Sequence, residues 1–272
     1  MKTIIGYSEK GGVGKTFFNI AISYELAKTS NVLLIDADCQ SNASKKVCSK
    51  NTLKNSISLI DGLIHDLDIE NIIIKAPIEN KPSLDFIRCE NRLIELEEVM
   101  FKNKNPKTFF VEYMQRNLEQ LSKYDYIVID LGPTFSTIAL NFLLIADSLI
   151  LIAEDNNIDS VDGINAFLTH YKEYMELMGV DSAKTAVLMN KVRNMRSNAK
   201  EVFNEILKKY PTVSNMLLDS QLHETTIVKA ALMKKESIVD YAKKTRGNST
   251  ARNRLYNEMT DLMNELKMKG LI

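Results

Sequence analysis

The sequence predicts an α/β fold, in which helices flank a doubly wound and mostly parallel sheet, and three observations predict it. Short apolar runs alternate with longer stretches of helical periodicity. The first apolar run, residues 2–8, leads into a glycine-rich loop and then into a helical stretch. Two later runs, 31–38 and 124–133, carry aspartate after an apolar core. Buried parallel strands have this form, and such sheets carry their sites beyond the carboxyl ends of the strands.

Each predicted element rests on a local pattern. The helix at 16–29 places Phe17, Ile20 and Tyr24 at three- and four-residue spacing. Strands are apolar runs, and we predict them at 2–8, 31–38, 70–75, 84–88, 124–133, 147–155 and 184–192. Further helices are predicted at 110–122, 135–146, 160–178 and 198–209. No repeat, low-complexity tract or linker interrupts the pattern, so we expect one domain over residues 1–272, with C-terminal helices (about 225–272) packed on it.

The composition is that of an ordinary globular protein. Hydrophobic residues make up 45% of the 272 residues and charged residues 26%. Cys39, Cys48 and Cys89 form no C-x-x-C pair and no Cys/His cluster, so we expect reduced thiols and no disulfide framework. No stretch reaches the ~18 apolar residues of a membrane span, and the first apolar run is too short for a signal peptide. We therefore expect a cytoplasmic protein.

The charge is balanced overall but unevenly distributed. The formal net charge is zero, which argues against a globally basic nucleic-acid-binding protein. Residues 181–272 nevertheless hold 17 Lys and Arg against 10 Asp and Glu. This basic C-terminal third is either a surface that faces a polyanion or simply a solvated face, and charge alone does not separate the two.

The segment SEKGGVGKTFFN, residues 8–19, predicts a phosphate-binding loop. Glycines at Gly11, Gly12 and Gly14 let backbone N–H groups turn onto phosphate oxygens at the start of a helix. Lys15 would reach the β- and γ-phosphates, and the Thr16 hydroxyl would bind Mg²⁺. The motif alone is only suggestive, and a structural glycine turn is the alternative. Together with the strand before it, the helix after it and the two aspartate-ending strands, it predicts a nucleoside triphosphatase.

Three aspartates complete the predicted chemistry. Asp130 is the Walker B candidate for Mg²⁺ binding. Asp36 and Asp38 are two residues apart at a strand end, so both can point to the same side of the sheet. One can support the metal while the other orients the water that attacks the γ-phosphorus.

These motifs resemble the ParA/MinD family of P-loop ATPases with a deviant Walker A motif. The resemblance lies in KGGVGKT with Lys10, in VLLIDADCQSNAS at 32–44 and in YDYIVIDLGPT at 124–134, and it extends over nearly the whole chain. In that family a lysine at the position of Lys10 crosses the interface of a sandwich dimer and touches the phosphates bound by the other subunit. The alternative is that Lys10 is a solvated loop lysine.

The resemblance also implies residue roles. Lys10, Lys15 and Asp38 would be catalytic, and Thr16, Asp36 and Asp130 would hold the metal. The implied nucleotide-binding residues are Gly11, Gly12, Val13, Gly14, Lys15, Thr16, Phe17 and Asn190, the last reading the adenine edge. The chain departs from the family at Cys39, where D-x-P-Q has proline, and at Gly132, where D-x-P-P has proline. We expect these changes to affect the rigidity of the switch loops rather than nucleotide binding.

Three branches of the family lead to different functions. A metal or electron carrier would need a cysteine pair that bridges two subunits, and no matched pair is present. A MinD-like, membrane-cycling protein would use a C-terminal amphipathic helix, and Leu255, Met259, Leu262, Met263 and Leu266 do form a stripe. Acidic residues on the polar face, Glu258, Asp261 and Glu265, would be repelled by an anionic bilayer.

The partition branch agrees best with the basic C-terminal third. It implies an ATP-dependent homodimer that binds DNA without sequence preference, associates with the nucleoid and is released when a ParB-like adaptor stimulates slow ATP hydrolysis. The candidate DNA contacts are Arg193, Arg196, Lys229, Lys243, Lys244 and Arg246. The membrane-cycling interpretation remains the alternative.

Overall fold

The computed structural model describes residues 1–78, 81, 83–154, 158–193, 205, 207–244 and 250–272, and its strands form one seven-stranded sheet. The strands are β1 (Lys2–Tyr7), β2 (Val32–Ala37), β3 (Leu84–Ile87), β4 (Tyr126–Leu131), β5 (Ser148–Glu154), β6 (Lys184–Val192) and β7 (Leu217–His223). Their order in the sheet is β3-β2-β4-β1-β5-β6-β7. The pairs β2–β3, β2–β4, β5–β6 and β6–β7 are all parallel. This confirms the predicted α/β fold.

Helices connect the strands. In the described part of the chain they are α1 (Lys15–Leu26), α2 (Asn42–Val47), α3 (Lys50–Lys54), α4 (Leu59–Ile64), α5 (Ile69–Ile72), α6 (Leu93–Lys102), α7 (Phe109–Arg116), α8 (Leu118–Leu121), α9 (Thr137–Leu143), α10 (Ile158–Met178), α11 (Pro211–Asn215), α12 (Ile227–Met233), α13 (Ile238–Lys244) and α14 (Thr250–Met268). Contacts between Cα atoms divide the chain into two compact units. The first unit is Met1–Ile5 with Thr16–Ala146, and the second is Gly6–Lys15 with Asp147–Ile272. The single domain expected from the sequence stays a prediction.

In the first unit, β2 lies between β3 and β4 and is buried along its whole length. The register of β2 and β4 pairs Asp36 with Asp130 at their carboxyl ends. Phe110 of α7 packs on Phe142 of α9 with 3.9 Å between ring centroids. A strand buried on both faces leaves its side chains little freedom, so the two carboxylates are held on a rigid support.

In the second unit, β6 lies between β5 and β7, and its register pairs Asn190 with Glu154. The ring of Phe167, on α10, lies 4.9 Å from that of Tyr7 and 5.6 Å from that of Tyr171, centroid to centroid. Tyr7 is the residue at which β1 ends, one position before the glycine-rich segment. This aromatic packing therefore fixes the end of β1, from which the glycine-rich segment begins.

The C-terminal helix α14 packs on β7 and α13 within the second unit. Its apolar stripe is turned inward: Leu255, Met259, Leu262 and Leu266 are buried, and Met263 is half-buried. Glu265 is buried with them and accepts hydrogen bonds from the backbone N–H groups of Asp219 and Ser220, at 2.9 and 2.8 Å. Among the described residues, no helix is both long enough and apolar enough to cross a membrane.

One element prediction was wrong, and one predicted helix is divided in two. The run at 70–75 was predicted to be a strand, but Ile69–Ile72 is a helical turn, and only Ile74 forms a bridge, to Phe86. Ile69 and Ile72 are both buried, at a spacing of three residues, and the Ile69 N–H donates to the side chain of Asn117 at 2.9 Å. Burial and this bond outweigh the β propensity of the isoleucines. The predicted helix at 110–122 is divided at the same Asn117 into α7 and α8.

One strand was missed. The sequence of β7, LLDSQLH, has only Leu218 and Leu222 buried, because β7 is the edge strand of the sheet. Two buried positions in seven make a weak periodic signal.

Candidate functional site

The glycine loop, residues 8–14, follows β1 and precedes α1. Gly12 has a φ of 80° and Gly14 a φ of 105°, in the left-handed region that favours glycine. A Cβ built on Gly11 or Gly12 would meet no atom within 4 Å. Packing within the chain therefore does not require glycine at those two positions. The open space beside their backbone is what a phosphate cradle needs.

Lys15 is bound to the glycine loop. Its side chain is buried, with 7% of the residue exposed, and Nζ donates to the carbonyl oxygen of Lys10 at 3.0 Å. The Lys10 N–H in turn donates to the Ser8 hydroxyl at 3.3 Å. The loop thus holds the Lys15 ammonium group against its own backbone, where it would meet phosphates bound by the loop.

Asn190, at the end of β6, packs on the glycine loop. Its side-chain amide donates to the Val13 carbonyl at 2.7 Å. A Cβ on Gly14 would lie 2.3 Å from the same amide nitrogen. The asparagine therefore fixes the loop, and Gly14 is glycine because nothing larger fits there. Reading of the adenine edge by Asn190 stays a prediction.

Lys10 is more exposed than Lys15 and has a different partner. Its side chain is 38% exposed, and Nζ lies 3.2 Å from Oε2 of Glu154, at the end of β5. The other carboxylate oxygen of Glu154 lies 3.6 Å from Nζ of Lys191. Two lysines and one carboxylate therefore meet beside the loop within the second unit.

In the first unit, Asp36 and Asp130 form a pair of fully buried carboxylates. Asp36 accepts hydrogen bonds from the N–H and the hydroxyl of Ser44, both at 2.7 Å, and from the Asp38 N–H at 3.1 Å. Asp130 accepts from the Asn19 amide at 2.8 Å. Burial, and then the charge of Asp130, raise the pKa of Asp36 to about 7, against the bonds from Ser44 and Asp38 that lower it.

The donor set of this pair fits a magnesium ion. Mg²⁺ prefers oxygen ligands and is usually bound through one or two carboxylates, with phosphates and water completing its shell. The negative charges of two buried carboxylates repel each other, and a divalent cation bound between them offsets this repulsion. No group of three or more His, Cys, Asp and Glu side chains suited to a metal occurs in the described residues. Thr16, half-buried in the first turn of α1, can supply a further oxygen.

Asp38 orders the turn that follows β2. Its Oδ1 accepts from the Gln40 N–H at 2.9 Å, and its Oδ2 from the Asn42 amide at 3.4 Å. A Cβ on Gly132 would lie 3.3 Å from Oδ1, so glycine lets the segment after β4 approach the carboxylate. A cavity of about 230 Å³, lined by residues 37–40 and 131–134 among others, lies beside Asp38. It has room for water next to a carboxylate oxygen.

The remaining predicted residues are placed as follows. Phe17 is half-buried in the first turn of α1. Among the candidate DNA contacts, Arg193 pairs with Glu224 at 2.7 Å and Lys244 with Glu236 at 3.4 Å. Lys229 is exposed, and the Lys243 ammonium lies 5.0 Å from the centre of the Tyr256 ring. Arg196 and Arg246 lie outside the described residues.

Several residues of these sites, among them Asn19, Glu154 and Ser44, were not singled out from the sequence. Asn19 lies three residues after Thr16, so helical spacing could have placed it beside the metal-binding candidates. Glu154 ends an apolar run just as Asp36 and Asp130 do, and the same signal could have identified it. Ser44 lies eight residues after its partner Asp36, in another element, and no local pattern indicates that contact.

Comparisons with known proteins agree with this geometry. The AAA_31 family model, described as an AAA domain, matches residues 1–183. The sporulation initiation inhibitor protein Soj of Bacillus subtilis is 28% identical over 214 residues, 77% of this chain and 79% of that protein. The virulence plasmid ParA family protein pGP5-D of Chlamydia psittaci is 24% identical over 271 residues, 98% of this chain and 96% of that protein.

A solved structure shares the fold. A plasmid partition protein from Borrelia burgdorferi B31, bound to AMPPNP, superimposes with a TM-score of 0.71 at 21% identity, over 97% of this chain and 98% of that one. The matched family model covers well over half of the chain, including the glycine loop and all three aspartates. The chain therefore belongs to the ParA/MinD family of P-loop ATP hydrolases, which use ATP and Mg²⁺, and is close to the partition ATPases.

Proposed function

We propose that the chain is a partition ATPase whose ATP-bound form is a homodimer that binds DNA without sequence preference. The observation that carries this proposal is that the two lysines of the phosphate-binding motif, Lys10 and Lys15, have different surroundings. Lys15 is buried and bound to the loop backbone, whereas Lys10 is 38% exposed and directed away to Glu154. This difference supports a role for Lys15 at the nucleotide of its own subunit and for Lys10 at that of a second subunit.

The residues divide the hydrolytic chemistry as follows. The glycine loop and Lys15 bind the phosphates, and Thr16 and Asp130 hold Mg²⁺, whose charge offsets that of the phosphates. Asp36, on the neighbouring strand, would hold the metal together with Thr16 and Asp130. Its oxygens accept bonds from Ser44 and Asp38. Asp38 orients water for attack on the γ-phosphorus.

Lys10 makes dimerisation depend on nucleotide. Two triphosphates buried face to face carry several negative charges, which oppose pairing of the subunits. An ammonium group from each partner neutralises them only when ATP is bound and both subunits are docked. The same group stabilises negative charge in the transition state, in the manner of an arginine finger.

DNA binding belongs to the basic C-terminal third of the chain. Lys229, Lys243 and Lys244 are exposed, and Arg193 follows β6. One subunit offers few phosphate contacts, and a symmetric dimer doubles them, so binding requires ATP and is strongly salt-dependent. A ParB-like adaptor then stimulates hydrolysis, which separates the subunits and releases the DNA.

Co-sedimentation tests this function against the membrane-cycling alternative. The protein is incubated with Mg²⁺ and ATP or ADP, together with plasmid DNA or with anionic liposomes. We expect the unmodified protein to pellet with DNA when ATP is present and not when ADP is present. Lys15→Ala should remain in the supernatant in every condition. Pelleting with liposomes and not with DNA would overturn the partition function in favour of the MinD-like one.

Charge reversal identifies the DNA-binding surface. Lys229→Glu combined with Lys243→Glu should weaken ATP-dependent DNA binding by about tenfold or more and reduce its salt dependence. Lys172→Glu combined with Lys102→Glu, on the exposed sides of α10 and α6, makes the same change in net charge. This matched control should bind as the unmodified protein does. Equal loss in both variants would mean that only the overall charge matters.

A further inference from the structure

Glu154 binds two lysines, Lys10 of the glycine loop and Lys191 of β6. Its Oε2 lies 3.2 Å from Nζ of Lys10, and its Oε1 lies 3.6 Å from Nζ of Lys191. All three residues belong to the second unit. β5 ends at Glu154, and the sheet register places Glu154 beside Asn190, which itself holds the loop through Val13. The carboxylate is thus fixed to the same strand ends as the loop that carries Lys10.

The carboxylate is ionised in this cluster. Burial by itself raises the pKa of Glu154, but the hydrogen bond from Lys10 and the charges of Lys191 and Lys10 bring it below its ordinary value. Glu154 is 24% exposed, and the Lys10 side chain is 38% exposed. The ion pair is therefore partly screened by solvent, strong enough to orient Lys10 and weak enough to break.

We propose that Glu154 is a positioning residue that holds the Lys10 ammonium group within its own subunit and so sets how readily two ATP-bound copies pair. This inference rests on the proposed role of Lys10 in the partner subunit. To reach a partner's phosphates, Nζ must leave Glu154. The single negative charge of Glu154 attracts the Lys10 ammonium group less strongly than a triphosphate does. A partner with bound nucleotide therefore draws Lys10 away from Glu154, and an empty partner does not.

Lys191 weakens the same contact. Its ammonium group shares the carboxylate with Lys10, and the two like charges repel each other across it. Removal of Lys191 should therefore hold Lys10 more firmly on Glu154. The two neighbours of Lys10 are expected to act in opposite directions, which a general loss of folding would not produce.

Sedimentation velocity in saturating AMPPNP and Mg²⁺ tests the proposal. The protein concentration at half-dimerisation is measured for the unmodified chain, Glu154→Gln, Lys191→Met, Lys10→Ala and Lys10→Ala with Glu154→Gln. Glu176→Gln, which loses an exposed pair with Lys172 on α10, is the matched control. Binding of a fluorescent ATP analogue and the thermal unfolding midpoint are measured for each variant.

Glu154→Gln should dimerise at lower concentration. An exposed ion pair contributes about two- to fivefold to an equilibrium, and a symmetric dimer breaks two of them, so we expect a decrease of about 4- to 25-fold. Lys191→Met should dimerise at higher concentration, and Glu176→Gln should not change. The double variant should match Lys10→Ala alone, because Glu154 acts only through Lys10.

Unchanged or weaker dimerisation of Glu154→Gln, with normal dimerisation of the unmodified chain, would overturn this inference and leave the proposed function in place. The inference would also be wrong if Glu154→Gln still strengthened pairing when Lys10 is alanine. Failure of the unmodified chain to dimerise with AMPPNP would overturn the proposed function and this inference with it.

Discussion

At the scale of single residues, the structure concentrates unfavourable charge at the metal-binding candidates. Asp36 and Asp130 lie in register on β2 and β4 and are both fully buried. Ser44 and Asn19 donate to them, so each carboxylate is oriented before any ligand arrives. Two negative charges buried side by side destabilise the folded protein unless a proton or a cation neutralises one of them.

This arrangement makes stability depend on pH. The folded-state pKa of Asp36, about 7, lies above its ordinary 3.8, so the folded state binds the proton more tightly. The contribution of Asp36 to the free energy of unfolding is therefore present at pH 4 and is lost as pH rises to about 7. Asp130→Asn removes the neighbouring charge, lowers the pKa of Asp36 and reduces that loss.

Urea unfolding in EDTA, without nucleotide, measures the difference. From pH 5 to pH 8, the free energy of unfolding of Asp130→Asn should rise relative to the unmodified chain by about 1 kcal/mol or more, since one pKa unit corresponds to about 1.4 kcal/mol. If the free energies of unfolding of the two proteins differ by the same amount at every pH in this range, the two carboxylates do not interact.

The sequence indicated the acidic residues of the site but not the groups that hold them. Asp36, Asp38 and Asp130 follow apolar runs, and parallel strands place such residues at one edge of a sheet. Ser44, which donates to Asp36, comes from another element. Contacts of that kind depend on tertiary packing, which a local pattern does not encode.

At the scale of elements, the glycine loop depends on two kinds of glycine. Gly14 has a φ of 105° and is pressed against Asn190, whereas Gly11 has open space beside it. Alanine at Gly14 should therefore strain the loop, and alanine at Gly11 should only occupy the space where phosphate would bind.

Gly14→Ala should lower the free energy of unfolding by about 1–3 kcal/mol and weaken ATP binding. Gly11→Ala should change the stability of the nucleotide-free protein by less than about 0.5 kcal/mol and still weaken ATP binding. Urea unfolding and titration with a fluorescent ATP analogue measure both. Equal destabilisation by the two substitutions would contradict the distinction.

Helix α14 is joined to the edge strand β7 by a carboxylate. Glu265 accepts from two backbone N–H groups of β7, and Lys269 lies 3.5 Å from its Oε1. Burial raises the pKa of Glu265, but its bonds to Ser220 and Asp219 and the charge of Lys269 lower it below the ordinary value. The ionised form therefore stabilises the fold, and this stabilisation is lost as pH falls through the folded-state pKa.

Glu265→Gln tests this junction. The amide retains one acceptor oxygen and places an NH₂ group against a backbone donor, so we expect a loss of about 1–3 kcal/mol in the free energy of unfolding at pH 7. Asp261→Asn, on the exposed side of the same helix, should change it by less than about 0.5 kcal/mol. A similar small effect for both would mean that α14 is held by its apolar stripe alone.

Element prediction was reliable where burial and propensity agree. β2 and β4 are apolar along almost their whole length and were located to within two residues at each end. Helix α5 and strand β7 were not found. In α5, tertiary burial of Ile69 and Ile72 overrides β propensity, and in β7 the edge position leaves most side chains polar.

At the scale of the whole molecule, the distribution of charge and the burial of α14 bear on partner choice. The apolar stripe of α14 is covered by its own unit, and exposed lysines lie on α12 and α13. We therefore expect this surface to bind phosphates rather than acyl chains. The family could be identified from three short motifs, because each of them carries phosphate or metal chemistry that tolerates few alternatives.

The central claim concerns assembly: Lys10 of one subunit acts on the nucleotide of the other. Its most direct test is sedimentation velocity of the unmodified chain and Lys10→Ala in Mg²⁺ with ATP, with ATP binding measured on the same samples. We predict that both bind ATP and that only the unmodified chain dimerises. ATP-dependent dimers of Lys10→Ala, formed at the same protein concentration as those of the unmodified chain, would contradict the claim.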